Sequence, residues 1–357
     1  MSEHNEHDKA GNENNSKRNF LKSAYEEHYK VLMIISVLLV LFSFIVIGHH
    51  YLTTGDFVDR GVSLTGGISL TLSAPQGNTM TPEELQSYLL KTFPASDINV
   101  RTFGAASNLK FSIEASDVAD TSLIDALKPK FPNLTDKEFA DNKQTVGPTF
   151  GASFFTQTLK AIFIAFLFMS IVVFLYFGES IRDKWIAAVL TIVAAFMMFY
   201  ARSALTYMIP LIIFVVLAVI YIRDSIPAFG IMLCAFSDLF FSLAIFDLFG
   251  HKLSIAGVAA FLMLIGYSID TDILLSVRVL KRREGTVFHR VVGALKTGIT
   301  MSVCALVAVL TAYFFTHSMV IKEIMFVLIA GLIGDIIFTW IQNAGILRWH
   351  LEKKGWK

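Results

Sequence analysis

The chain has 357 residues, 54% hydrophobic and 17% charged, with a net charge of +1 and a mean hydropathy of +0.60. That apolar content exceeds the roughly 45–50% of soluble domains and is gathered into long blocks, the pattern of a membrane protein. No long run of like charge suggests nucleic-acid binding. Cys234 and Cys304 lie in apolar runs and imply no disulfide framework, and there is no phosphate loop, H-E-x-x-H or C-x-x-C, so neither an enzyme nor a resident cofactor or metal is expected.

Residues 1–27 are polar and charged and read as a disordered cytoplasmic tail. The first apolar block, Val31–Ile47, lies in a first transmembrane helix over 28–50. A cleaved signal peptide is the competing reading, but the block lacks the short h-region and small-residue cleavage site of one, which favours an uncleaved anchor.

Residues 51–148 contain no spanning segment and read as a folded α+β domain. Ser69–Ser73 alternates as a strand does. Thr81-Pro82-Glu83-Glu84 opens a helix to about Phe93, with Thr81 as N-cap and Pro82 at the first helical position. Strands follow at Ile98–Thr102 and Leu109–Glu114, then a helix over Thr121–Phe131 and a strand around Asn142–Val146. The order strand–helix–strand–strand–helix–strand indicates a ferredoxin-like module.

Over 149–350 the chain is a transmembrane domain. Seven segments have the roughly 20 residues that a span needs: Phe154–Phe177, Trp185–Ala201, Leu205–Ile222, Ile226–Phe249, Ser254–Val277, Thr297–Phe315 and Ile324–Leu347. With the anchor, the expectation is an α-helical polytopic membrane protein of about eight spans, ending in a short cytoplasmic tail at 351–357. With the N-terminus inside, Lys17, Arg18, Lys22, Lys30, Arg182, Lys184, Arg223, the Arg278–Lys296 cluster, Arg348, Lys353, Lys354 and Lys357 all face the cytoplasm. The outer loops keep little more than Arg202, Lys252 and Lys322. This asymmetry follows the positive-inside rule and puts residues 51–148 outside the cytoplasm. Ile181-Arg182-Asp183 recurs as Ile222-Arg223-Asp224, a match too short to separate a duplicated hairpin from chance.

Charge inside the apolar blocks marks the candidate site. Asp270 and Asp272 lie toward the inner end of their span, while Asp238 and Asp335 lie centrally in theirs. A carboxylate at such depth is costly, so it usually marks an ion path or a polar contact between helices. Burial away from water favours the neutral acid, which lets a membrane carboxyl load and release a proton near neutral pH. The plainer reading is an interhelical hydrogen bond worth ~1 kcal/mol. Two residues apart, Asp270 and Asp272 point roughly 200° from each other, so only one faces the bundle interior. Gly266 shares a face with Asp270, and Ser268 shares one with Asp272. Asp247, near the outer boundary, reads as solvated. Thr297, Thr300, Cys304 and Thr311 form one polar stripe and Asp335, Thr339 and Asn343 another, each of which reads first as a packing seam. Lys160 and Lys296 are placed to snorkel toward the interfaces.

Three segments together resemble the SecF branch of the SecD/SecF family of protein-export membrane proteins, and more closely its archaeal members. Gly61-Val62-Ser63-Leu64-Thr65-Gly66-Gly67 looks like the family's G-x-D-F-x-G-G signature, with Ser63 where the acid usually stands. Val146-Gly147-Pro148-Thr149 precedes the second span. Ala235-Phe236-Ser237-Asp238 is followed by Leu262–Asp272, including Gly266-Tyr267-Ser268. The resemblance covers residues 28–177 and 224–350, and implies six spans of a half-transporter related to the resistance-nodulation-division superfamily. It also implies a SecD-like partner subunit, the SecY translocation channel, an exported polypeptide and membrane lipids as partners, and coupling to the proton gradient through intramembrane acids. Carried over by position, Asp238, Asp270 and Asp272 fall at those acids. Thr271 stands where bacterial members have Asp, and Lys296-Thr297 matches an Arg-Thr pair. The hairpin Trp185–Ile222 is additional to the six spans and, being an even number of crossings, preserves the orientation of the later spans.

The leading expectation is therefore an auxiliary protein-export subunit in the cell membrane, with Asp238, Asp270, Asp272, Asp335 and Lys296 as coupling candidates. A small-molecule or lipid exporter of the same superfamily is the alternative. A scaffold whose acids only hold helices together is a third reading.

Overall fold

The computed structural model describes residues 29–74, 80–94, 96–103, 109–116, 118–281, 286–316 and 318–355. The tail expected over 1–27, and the loop residues Arg282 and Arg283, lie outside the described residues.

The first apolar block forms helix α1 (Tyr29–Thr54), longer at both ends than Val31–Ile47. A single turn, α2 (Val62–Thr65), leads into the α+β domain. There β1 (Gly67–Ser73), α3 (Pro82–Thr92), β2 (Ile98–Phe103), β3 (Lys110–Ala115), α4 (Asp120–Leu127), α5 (Asp136–Asp141) and β4 (Lys143–Val146) follow in order. The four strands pair in the order β2-β3-β1-β4, antiparallel throughout, with Leu70 opposite Ile113 and Lys143, and Val100 opposite Ile113. This is the ferredoxin-like arrangement expected from the sequence. Ile68, Leu70 and Leu72 alternate inward against Leu85 and Leu89 of α3 and Leu123 and Leu127 of α4. Each such fully buried side chain contributes about 1.5–3 kcal/mol, which gives this domain a core of its own.

Local chemistry sets the helix starts. The Thr81 hydroxyl accepts from the Glu84 amide while the Glu84 carboxylate accepts from the Thr81 amide, a capping box with Pro82 in the first turn. The expected helix to Phe131 stops at Leu127, because Pro129 has no N–H with which to continue the ladder. Phe131 instead turns in to be buried, with its amide on the Leu127 carbonyl at 3.0 Å. Helix α5 has no counterpart among the expected elements, although Thr135 and Glu138 repeat the Thr81–Glu84 box.

The membrane domain comprises α6 (Pro148–Phe177), α7 (Ile181–Tyr200), α8 (Ala204–Asp224), α9 (Ile226–Leu248), α10 (Ile255–Leu280) and α11 (Val287–Phe315). It closes with α12 (Met319–Ile337), a π-helical turn over Phe338–Asn343, and α13 (Ala344–Lys353). Among the described residues, eight helices are long and apolar enough to cross a membrane, with α12 to α13 counted as one. Two expectations change here. The last span is not a single α-helix but is interrupted by the π turn. The seventh span starts ten residues before Thr297, at Val287, where the Thr286 hydroxyl accepts from the His289 amide. An apolar count misses that start because the first turns carry Arg290. Arg290 Nη1 donates to the Val279 carbonyl, and Arg278 Nη1 to the Gly293 carbonyl, both at 2.8 Å.

Helices α9, α10 and the last span bury 61%, 56% and 56% of their apolar windows, against 11% for α11. The centre of the bundle is thus α9–α10–α12. The hairpin α7–α8 packs on itself and against α6 at the flank. Its two similar tripeptides play different parts. The Asp224 carboxylate accepts from the amides of Glu179 and Ser180, just ahead of α7, whereas the Asp183 amide donates to the Ser180 hydroxyl. Lys160 does not simply snorkel: its ammonium donates to the Ala201 carbonyl at 2.6 Å, satisfying the C-terminus of α7.

The glycine signature joins the two domains. The Gly61 amide donates to the Leu253 carbonyl, and the Leu253 amide to that of Asp59. The Ser63 hydroxyl accepts from the Ile255 amide at the start of α10. Gly67 has a φ of +136°, and a Cβ there would run into the Ala115 carbonyl, so only glycine fits.

Candidate functional site: an acid cluster inside the bundle

Three helices each bring one carboxylate to the centre of the bundle: Asp238 from α9, Asp272 from α10 and Asp335 from α12, with 0%, 0% and 1% of their surface exposed. Among the described residues no Lys, Arg or His lies in an ion pair with any of them. An isolated buried charge is costly unless it is hydrogen-bonded, and here hydroxyls and an amide do that work.

Ser268, one turn before Asp272 on α10, donates to Asp238 Oδ2. Thr271 Oγ1 lies 2.7 Å from Asp335 Oδ1, and Ser302 Oγ of α11 lies 3.4 Å from Asp335 Oδ2. Thr339 Oγ1 lies 2.9 Å from Asp272 Oδ1 and 3.0 Å from Asp335 Oδ1. Asn343 Nδ2 donates to Asp272 Oδ1 at 2.8 Å. Asp238 Oδ1 and Asp272 Oδ2 are buried without a hydrogen-bond partner. A Cβ at Gly334, the residue before Asp335, would lie 3.4 Å from Asp238 Oδ1 and 2.9 Å from Phe241. Glycine there lets α9 and α12 approach and brings Asp238 up to the other two acids. The arrangement places two of the three carboxyls, Asp272 and Asp335, on one shared hydroxyl, that of Thr339, while Ser268 alone holds Asp238. Among the described residues no group of His, Cys, Asp and Glu side chains is arranged to hold a metal ion.

The site candidates thus divide. Asp238, Asp272, Asp335 and Ser268 converge. Asp270 is exposed on the opposite side of α10, together with Gly266 and Tyr267, and Lys296 is exposed on α11. The 200° rotation expected between Asp270 and Asp272 is what separates them. Three expectations need correction. Asp335, Thr339 and Asn343 are more than a packing seam, since all three belong to the acid network. The stripe Thr297–Thr300–Cys304–Thr311, expected as a packing seam, is half-buried at Thr297 and exposed at the other three residues. The α11 residue in the network is instead Ser302, in the buried small-residue row Ala294–Gly298–Ser302; that four-residue spacing was the available signal. Asp247 is not solvated: its side chain is 5% exposed and lies 2.9 Å from His50 Nδ1.

At the end of the bundle next to the α+β domain, the α9–α10 loop holds that domain. Lys252 Nζ pairs with Asp97 Oδ2 at 2.6 Å, and Arg101 Nη2 donates to the Gly250 carbonyl at 3.3 Å. Burial pushes the Glu114 carboxyl on β3 above its ordinary value, opposed by the nearby Arg101 and Lys252 cations. Burial also lowers His251, and the Arg101 charge adds to this. The ion-paired loop therefore connects directly to the two helices that carry Asp238 and Asp272.

Compared with solved structures, the fold is similar to that of SecDF, a translocon-associated membrane protein from Thermus thermophilus, with a TM-score of 0.57 at 16% identity. The match covers 93% of this chain and 38% of that one. A polytopic helical bundle with an α+β insert after its first helix is thus the fold that this chain shares with that structure. A profile described as protein export membrane protein SecD/SecF, C-terminal, matches residues 126–207 and 198–353, two stretches that meet in the additional hairpin. The protein-export membrane protein SecF of Pyrococcus furiosus is 33% identical over 335 residues, 94% of this chain and 95% of that protein. SecF of Methanothermobacter thermautotrophicus is 34% identical over 301 residues, 83% and 85% of the two chains. The chain belongs to the SecD/SecF family of protein-export membrane proteins, on its SecF side, and is a multi-pass membrane protein.

Proposed function

We propose that this protein is an auxiliary subunit of the protein-export machinery, working with a SecD-like partner beside the SecY channel, and that the acid cluster couples its work to the proton gradient. The observation that carries the reading is three buried carboxyls, one from each of three central helices, two of them bridged by Thr339 and the third held by Ser268, with no paired cation among the described residues. The positive-inside pattern supports a cytoplasmic N-terminus in the cell membrane and an extracytoplasmic domain over 51–148. There that domain would meet emerging polypeptide. Its ties to the α9–α10 loop offer a route by which protonation of Asp238 or Asp272 shifts the domain. The exposed Asp270 and Lys296 cannot comfortably face lipid, which fits a face of α10 and α11 covered by the partner subunit. The family relationship does not favour the small-molecule exporter.

Two measurements test this. Solubilised protein should co-purify with a SecD-like chain, and its consistent absence removes the main support. In cells, Asp238→Asn and Asp272→Asn should abolish the dependence of reporter export on an imposed proton gradient. Normal export by both variants across the whole range of gradients refutes coupling while leaving the family role intact.

A further inference from the structure

We propose that Thr339 is the relay through which a proton passes between Asp335 and Asp272, an inference that rests on the proton reading above. Its hydroxyl oxygen lies within hydrogen-bond distance of one oxygen of each acid, 2.9 Å from Asp272 Oδ1 and 3.0 Å from Asp335 Oδ1. A hydroxyl has one hydrogen to donate and lone pairs with which to accept. It can satisfy only one of two ionised carboxylates, so the other contact becomes a hydrogen bond only when that carboxyl carries a proton and donates it to Thr339. The geometry therefore specifies one proton shared across Asp335–Thr339–Asp272, with two states of the same heavy-atom frame. Passage between them balances. The O–H bond at Asp335 Oδ1 breaks as one forms at Thr339 Oγ1, while the original Thr339 O–H breaks and one forms at Asp272 Oδ1. Threonine ends unchanged with its O–H turned round, and the same steps run in reverse.

The surroundings serve both ends. When ionised, Asp335 keeps contacts with Thr271 and Ser302, and Asp272 keeps the Asn343 amide. The π turn Phe338–Asn343 supplies the register: it sets both Thr339 and Asn343, each fully buried, on Asp272 while Thr339 still reaches back four residues to Asp335. Such turns are rare and are found frequently at functional sites.

Few other charged or titratable groups bear on this bridge. Helix α9 contributes Asp238, already engaged by Ser268, and the buried thiol of Cys234. On α10 the other acid, Asp270, is exposed, and on α11 Lys296 is exposed. The buried α1 hydroxyls Ser36 and Ser43 bond to their own helix. On α13, Arg348 and Glu352 pair with each other, farther along the helix.

The test uses the purified full-length protein and infrared spectroscopy of the carboxylic-acid C=O band after a pH step. Wild type and Thr339→Ser should show the pair losing its protons in two well-separated steps, the signature of one shared proton. Thr339→Val, which removes the hydroxyl and keeps the shape, should draw the two steps together and slow the relaxation about 100-fold, the scale of a lost proton-transfer group. If Thr339→Val does not fold, Thr339→Ala makes the same comparison. If Asp272→Asn changes the band but Thr339→Val titrates and relaxes like wild type, Thr339 is only a packing contact and the relay is overturned. Thr339→Ser behaving like Thr339→Val also overturns it. If Asp272→Asn and Asp335→Asn both leave the band unchanged, the proton reading itself fails.

Discussion

Replacing Asp272 by alanine isolates what this side chain does for stability. Asp272 Oδ1 accepts from Asn343 Nδ2 at 2.8 Å and is 2.9 Å from the Thr339 hydroxyl, in a fully buried site. Thr339 keeps Asp335 Oδ1 at 3.0 Å as a second acceptor, so alanine strands only the Asn343 amide, at about 1–3 kcal/mol. The small void left by the carboxyl adds about 1 kcal/mol. Asp272→Ala should therefore lose about 2–4 kcal/mol. Asp272→Asn keeps the shape and an Oδ1 acceptor for both donors, and should stay within about 1 kcal/mol of wild type. Unfolding of the purified proteins, followed by tryptophan fluorescence with Trp340 beside the site, measures the difference. Equal stability of the two variants would refute the reasoning, since the hydrogen bonds to Oδ1 would then contribute nothing.

Thr81→Ala removes one half of the α3 capping box and should destabilise the α+β domain by about 1 kcal/mol, read as faster amide exchange in α3 with the membrane helices unaffected. Gly67→Ala forces a side chain into a φ of +136° and against the Ala115 carbonyl. A loss of about 2 kcal/mol or more should appear as loss of exchange protection across β1 and β3. Glu114 gives a pH signature. Burial raises its folded-state value above the ordinary 4.5, so the folded protein binds that proton more tightly than the unfolded chain does. Its contribution is fully present below 4.5 and is lost as pH rises through the higher folded value. Glu114→Gln should flatten that slope and raise the melting temperature on its alkaline side; an unchanged pH profile would count against the burial.

Much of the architecture was legible because it depends on local rules. Hydropathy located all the spans, and alternation at Ser69–Ser73 found an inward-facing strand. The proline and capping residues at Thr81–Glu84 fixed a helix start to the residue. The misses arise where local signals compete: Arg290 hid the first turns of α11 from an apolar count, and Pro129 cut short a helix whose apolar pattern ran on to Phe131. At the site, the acids stood out, but their partners did not. Ser302 and Thr300 are equally plain small polar residues two apart on one helix, and only packing decides which one turns inward.

The sequence alone determined that this is a membrane protein with an α+β insert after its first helix, that charge sits deep in its spans, and that Asp270 and Asp272 cannot share a face. These follow from hydropathy, helical period and capping, each readable within a short window. Which of that pair meets the other acids, and that Asp335 and Thr339 join them, was decided only by tertiary structure. Helix rotation and register are set by side chains packing across α9, α10 and α12, including the close approach at Gly334. The π turn then shifts the last helix, and no property of an isolated segment specifies that alignment.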